Sequence, residues 1–313
     1  MKKNLKEKLR RLKKGISPRI KEIKFSLVRI KKNPLSITGI IIILAFATVA
    51  ILAPIIAPPK YPHDPYRIPR FGYSTTPKPP SLEHLFGTTE GQYDVFYGVI
   101  WGTRTAFRIG FMVVGSILVI GILLGSISGY YGGVVDEIIM RIVDTFMSLP
   151  TLILAMALVT ALGRSLDNVM IALIIVGWPP YARLIRGDIL SVREETYVEA
   201  ARATGVSDAG IIFRHILPNA IYPVLIMASL DIGAMVLTAA ALSFLGLGAP
   251  VGYADWGQMI SFARNWIVGP PGNPLAYWHT VTIPGIFILL FVLGWNLLGD
   301  AFRDILDPRM RRR

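Results

Sequence analysis

The chain of 313 residues has no cysteine, only four histidines, and 20 acidic residues against 33 Lys+Arg. Without cysteine there is no disulfide framework, thiolate metal site, iron–sulfur cluster or cysteine nucleophile. His63, His84, His215 and His279 are scattered, with no HExxH and no carboxylates at ligand spacing, so no metal site is supported. No GxxxxGKS/T run occurs, so the chain has no usual cradle for ATP phosphates, and no Gly-x-Ser-x-Gly elbow occurs either. Charge itself is scarce. Only 17% of residues are charged and 53% are hydrophobic, and the mean hydropathy of +0.52 places the chain in the membrane class.

The net charge of +13 is concentrated at one end. Fourteen Lys/Arg lie within residues 2–32 against Glu7 and Glu22, leaving +12 on that tail. Its apolar residues, Leu5, Leu9, Leu12, Ile16, Ile20, Ile23, Leu27 and Ile30, recur at spacings of 3 and 4. That pattern predicts a basic amphipathic helix, interrupted near Pro18, lying on the anionic cytoplasmic face of a lipid bilayer. Nucleic acid is excluded as a partner, since the tail carries neither interleaved aromatics nor a recognition motif.

Residues 35–57 carry no charge and are long enough to span the hydrocarbon core, so they are read as a retained first transmembrane helix. Residues 58–104, rich in Pro, Tyr and Gly, are read as an ordered-to-extended extracytoplasmic linker without a span. Further apolar stretches cover 105–129, 138–160, 168–186, 219–248 and 281–299; that at 168–186, the fourth span, is interrupted by Pro179-Pro180 and closes at Arg183 and Arg186. The expected organisation is a cytoplasmic tail (1–34), a first span (35–57), the outer segment (58–104), a core of five spans (105–300) and a basic cytoplasmic tail (301–313). Six spans put both termini on one side, and the basic tails make that side cytoplasmic. The loop at 187–218 is then cytoplasmic and that at 249–280 external. Gly121, Gly125 and Gly129, four apart, form a face on which another helix can pack closely.

The loop at 187–218 holds the most informative pattern. A helix through 194–203 is expected to stop at Gly205, which suits a left-handed cap. Ser207 can cap a second short helix with Asp208 near its positive end, and Pro218 is expected to close it. Glu199-Ala200-Ala201, Gly205 and Leu217-Pro218 stand at the spacing of the EAA signature of bacterial and archaeal ABC importer permeases, which the chain resembles. His215 occupies a position that is usually apolar in that signature.

The resemblance extends over nearly the whole chain and is closest to the dipeptide/oligopeptide branch. It rests on Phe86-Gly87-Thr88 with Asp94-Val95, Gly132-Gly133 with Asp136-Glu137, Ala241 to Gly248, Trp256 to Ile260 with Ala263-Arg264, and Leu298-Gly299-Asp300 through Asp307-Pro308-Arg309. Two positions depart from it: Gln92-Tyr93-Asp94 stands where Gly-Arg-Asp is usual, and Ala239 where a Glu is usual. The resemblance implies an all-α polytopic protein with six transmembrane helices in the type I importer (MetI-like) permease fold of a prokaryotic cell membrane. It implies a non-enzymatic subunit that passes di- or oligopeptides by alternating access, with nickel, glutathione or oligosaccharide as other cargoes of the same machinery. It also implies a second permease subunit in a heterodimer, two cytoplasmic ATPases carrying ATP and Mg, and an extracytoplasmic solute-binding protein, with no cofactor on this chain. Glu199, Ala200, Ala201, Gly205, Ser207, Asp208, His215, Leu217 and Pro218 would then be the ATPase-coupling residues.

Two features inside the spans stand apart. Asp231 lies about twelve residues into the fifth span, where a bare carboxylate is costly. It is read either as facing the substrate path or as held by a buried hydrogen bond, to Ser229 or to a neighbouring span. Arg141 and Asp144, three apart, suggest a local ion pair. An ion-driven carrier, a channel and a membrane enzyme are the rival classes. The first would show repeated broken helices and the last a polar catalytic cluster in the spans.

Overall fold

The computed structural model describes residues 33–306, so the amphipathic tail predicted before residue 33 and the basic residues after 306 lie outside it. Among the described residues the fold is helical, with extended chain limited to isolated bridges. α1 (Pro34–Ile56) starts where the Asn33 side chain accepts from Leu35 N–H and Pro34 occupies the first turn, a position that has no helical partner to lose. α2 (Val95–Tyr131) is capped by Asp94, whose carboxylate accepts from Tyr97 N–H at 2.7 Å. Because of that cap the helix begins at Val95 rather than at the apolar run from 105.

The expected third span is broken. α3 (Gly133–Met147) and α4 (Thr151–Leu162) meet at 90°. Pro150 sits at the break, with no N–H to continue the ladder and a restricted residue before it. The fourth span differs in the opposite sense. α5 (Leu166–Val192) runs unbroken through Pro179 and Pro180 and past Arg183 and Arg186. Packing of α5 against its neighbours overrides the lost backbone bonds, as happens inside membranes. After the loop described below come α9 (Tyr222–Phe244) and α11 (His279–Leu306). Among the described residues five helices are long and apolar enough to cross a bilayer, and the bent pair α3–α4 makes a sixth crossing if counted as one span.

α2 and α5 form the central seam. A Cβ on Gly121, Gly125 or Gly129 would strike Tyr181, Ala182, Ile185 or Arg186 of α5, so the neighbour of the glycine face belongs to this chain. α1 closes on α11, where Gly39 lets the Leu298 backbone approach.

The outer segment is folded, not merely extended. Ile68 N–H donates to Gly252 C=O at 2.8 Å and Ala254 N–H to Tyr66 C=O at 2.8 Å, while Tyr66 stacks on Tyr253. The Tyr97 hydroxyl donates to Pro65 C=O at 2.6 Å. The segment before α2 and the loop after α9 are therefore one cap over the ends of the spans. Gln92 lies in this cap with φ +62, a left-handed backbone that costs a non-glycine residue ~1 kcal/mol. Its buried side chain offsets that by donating to Thr76 C=O at 3.1 Å. A glycine, usual here in the resembled family, takes that backbone without strain.

Candidate functional site

Between α5 and α9 the chain leaves the bundle as a helix pair. α6 (Thr196–Ala203) ends at Thr204, and Gly205 reverses the chain with φ +80. Ser207 then caps α7 (Asp208–Ile211), its hydroxyl accepting from Gly210 N–H. A π turn over Ile212–Ile216 carries the chain into α8 (Leu217–Ala220). Pro218 lies just after the π turn, inside a helical run that continues to Ala220, so it does not close the helix there.

The loop's apolar side is divided. Val198, Ile211 and Ile216 are fully buried inside this chain, which holds the pair rigidly on the bundle. Tyr197 and Phe213 are left exposed, at 41% and 57%, as are Glu199 and Ala200. Ala201 is buried, His215 half-buried with its carbonyl accepting from Asn219 at 2.8 Å, and Leu217 half-buried. The exposed parts of the loop thus include two aromatic side chains and, at Glu199, a carboxylate that makes no ion pair among the described residues.

Asp208 does more than sit near a helix start. Its carboxylate accepts from the Tyr130 hydroxyl at 2.6 Å, and Arg202 lies 5.9 Å from the same ring. Arg193 donates to Gly129 C=O at 2.9 Å, and Arg186 pairs with Asp136 of α3. The helix pair is thus tied to the end of α2 through Asp208, and α5, which leads into it, is tied to α2 through Arg193 and to α3 through Arg186.

In the spans, Tyr181 of α5 donates to Asp231 of α9 at 2.7 Å, whereas Ser229 donates to its own helix at Ile226 C=O. The expected Arg141–Asp144 pair does not form. Asp144 pairs with Arg183 of α5 and Arg141 with Glu137 one turn back at 3.5 Å, because α3 presents the two residues to different surroundings. Among the described residues no group of His, Asp and Glu is arranged to hold a metal.

At the other end of the spans, Asp255 caps α10 (Trp256–Phe262), accepting from Gln258 N–H at 2.8 Å. Burial raises this carboxyl to about 6, against the lowering effect of its hydrogen bonds to Gln258, Ser243 and Gly257. Protonation is thus favoured in the folded state, so its stabilising effect is full near pH 4 and is lost as pH rises through 6. Asp255→Asn keeps an acceptor for the cap and removes the titration. The melting temperature of wild type should therefore fall relative to the variant between pH 4 and 7, by up to ~3 kcal/mol in stability. Parallel pH profiles of the two proteins count against the assignment.

The family described as binding-protein-dependent transport system inner membrane component matches residues 121–312, and the N-terminal TM domain of oligopeptide transport permease C matches 26–80. A dipeptide transport system permease protein of Alkalihalophilus pseudofirmus is 42% identical over 283 residues, covering 90% of this chain and 88% of the relative. A probable D,D-dipeptide transport system permease protein of Escherichia coli is 43% identical, covering 90% and 89%. A glutathione transport system permease protein of Pectobacterium atrosepticum is 40% identical, covering 77% and 78%. An inward-facing structure of the MetNI methionine ABC transporter matches with a TM-score of 0.51 at 18% identity, covering 67% of this chain and 97% of that one. That likeness concerns the fold.

Proposed function

The chain belongs to the family of binding-protein-dependent transport system inner membrane components, and from that premise we propose that it is the permease subunit through which an ATP-driven importer passes di- or oligopeptides. It is a multi-pass membrane protein and not an enzyme; hydrolysis belongs to separate subunits of such importers. The observation that carries the reading is the helix pair at 196–218. It buries enough of itself to be rigid, presents Glu199, Tyr197 and Phe213 outward, and is tied through Tyr130–Asp208 to the span ends. A rigid projection with an unmatched aromatic and acidic face suits docking on a partner.

In this reading two ATPases, holding ATP and Mg, dock on that face, and their closure moves the helix pair and spans as one body. A second permease subunit completes the path in a heterodimer, and a solute-binding protein delivers cargo to the cap built from 58–94 and 245–278. The cap side is extracytoplasmic and both termini cytoplasmic, in keeping with the basic tail. The Tyr181 bond favours a structural role for Asp231 over contact with a peptide's amino terminus. Identity to a glutathione permease supports a second reading, in which the same machine carries that tripeptide.

Both readings meet one experiment. The chain is co-purified with its co-encoded permease, ATPases and binding protein, and reconstituted in proteoliposomes. Uptake of di- to pentapeptides is measured against glutathione, nickel and an oligosaccharide. Peptide accumulation only with ATP and binding protein is expected. Glutathione uptake instead moves the assignment to the second reading, and uptake without ATP overturns the coupling.

A further inference from the structure

A groove of about 450 Å³ lies between α1, α2 and α11, within the size range of small-molecule sites. Its walls are apolar: Ile43, Ala47 and Ala50 of α1, Phe107 and Phe111 of α2, and Trp295 of α11. Ile51 borders it and is 73% exposed, on the same helix whose Ile41, Leu44 and Ile55 also face outward. The groove therefore opens on the outer surface of this chain's helix bundle. Arg104 is the single charged residue among those lining it.

The depth of Arg104 follows from a neighbouring bond. Trp101 Nε1 donates to Ala57 C=O at 2.9 Å, which places Trp101 level with the cap end of α1. Arg104 is three residues further along α2, or ~4.5 Å deeper. Ile43 lies fourteen residues before Ala57, ~20 Å below it along the same axis. The groove thus begins at headgroup depth and ends well inside the hydrocarbon.

Charge distinguishes Arg104 from its neighbour. Arg108, one turn on, pairs with Asp167 at 2.6 Å. Arg104 makes no ion pair among the described residues, and its guanidinium lies 5.2 Å from the Trp101 ring. A guanidinium at this level calls for an anion, and its planar fork fits a phosphate. A phosphate alone would leave the apolar walls unfilled, and a hydrocarbon alone would leave the charge. One molecule that supplies both at these depths is a phospholipid.

We infer that this groove binds an anionic glycerophospholipid of the leaflet remote from the helix pair, with its phosphate on Arg104 and one acyl chain lying over Ala47, Ala50 and Phe107. The site does not depend on the cargo or on the docking of ATPases.

The test uses the full chain, purified with its co-expressed subunits and reconstituted in nanodiscs. Each nanodisc contains a trace of phosphatidylglycerol or phosphatidylcholine carrying a photoreactive diazirine in one acyl chain. Adducts are mapped by mass spectrometry. In wild type, phosphatidylglycerol should label the peptides holding Ala47, Ala50, Phe107 and Phe111 about fivefold more than phosphatidylcholine does, as expected for ~1 kcal/mol from one arginine near the surface. Arg104→Gln should abolish the preference, Arg104→Lys should keep most of it, and Ala50→Trp should block labelling by both lipids. Equal labelling by the two lipids, a preference unchanged in Arg104→Gln, or no label in the wild-type groove each overturns the site. In the last case a cross-link from the groove to another subunit identifies that subunit as the occupant. If Ala50→Trp fails to fold, the wild-type map and the Arg104 variants still decide between a lipid site and none.

Discussion

Glu199→Lys is expected to lower co-purification of the ATPase subunits about tenfold, the equivalent of ~1.4 kcal/mol, while membrane insertion and melting temperature stay unchanged. Glu199 is exposed in the first turn of α6 and makes no ion pair or side-chain hydrogen bond among the described residues, so beyond the small helix-dipole effect its reversal acts on what docks there. Gly205 gives a complementary handle on the same face. A Cβ at this position meets no atom within 4 Å, yet its φ is +80. Bulk is tolerated and the backbone is not, so Gly205→Val should distort the turn at a cost of ~1–2 kcal/mol and weaken association as Glu199→Lys does. Gly205→Asn, which accepts the left-handed region, should retain most of the binding. Undiminished ATPase recovery with both Glu199→Lys and Gly205→Val removes the docking assignment.

Gly125→Val is expected to have the largest effect on stability. Its Cβ would collide with the Ala182 backbone and the Ile185 side chain, and the Ala182 Cα lies only 3.0 Å away. Two helix backbones would have to separate, and overpacking of this kind costs ~1–3 kcal/mol or more. The melting temperature should drop sharply, and uptake should fall with it, since the α2–α5 seam positions Arg186, Arg193 and Tyr130 beneath the helix pair. Gly115→Ala in the same helix meets nothing within 4 Å and should be neutral or slightly stabilising, as a better helix former with free space around it. If both variants melt alike, the seam is not the close contact described.

Much of this was legible along the chain. The EAA pattern, Gly205 and Ser207 gave the helix pair its outline, because a left-handed glycine and a capping hydroxyl act within a few residues. The glycines at 121, 125 and 129 marked a packing face for the same reason, though not its partner. Local rules failed where they met a tertiary context. Pro179-Pro180 suggested an interruption that α5 does not make, whereas Pro150 turns the chain through a right angle. Both are prolines in apolar runs, and only their neighbours distinguish them. Pro218, expected to close a helix, lies within a helical run that continues to Ala220. Tyr130, which holds Asp208 of the loop, carries no signal of its own, since a tyrosine at the end of a span reads equally as an interfacial anchor.

Composition and order along the chain were enough for the membrane class, the number of apolar stretches, the charge of the basic tail and the outline of the helix pair, because hydropathy, charge and capping are properties of short contiguous segments. Only the folded chain decided who pairs with whom. Tyr130 reaches Asp208 across 78 positions, Tyr181 reaches Asp231 across 50, and Arg183 takes Asp144 from nearby Arg141. Such pairs are chosen by which helix faces come to lie side by side, and that depends on close packing of the whole bundle.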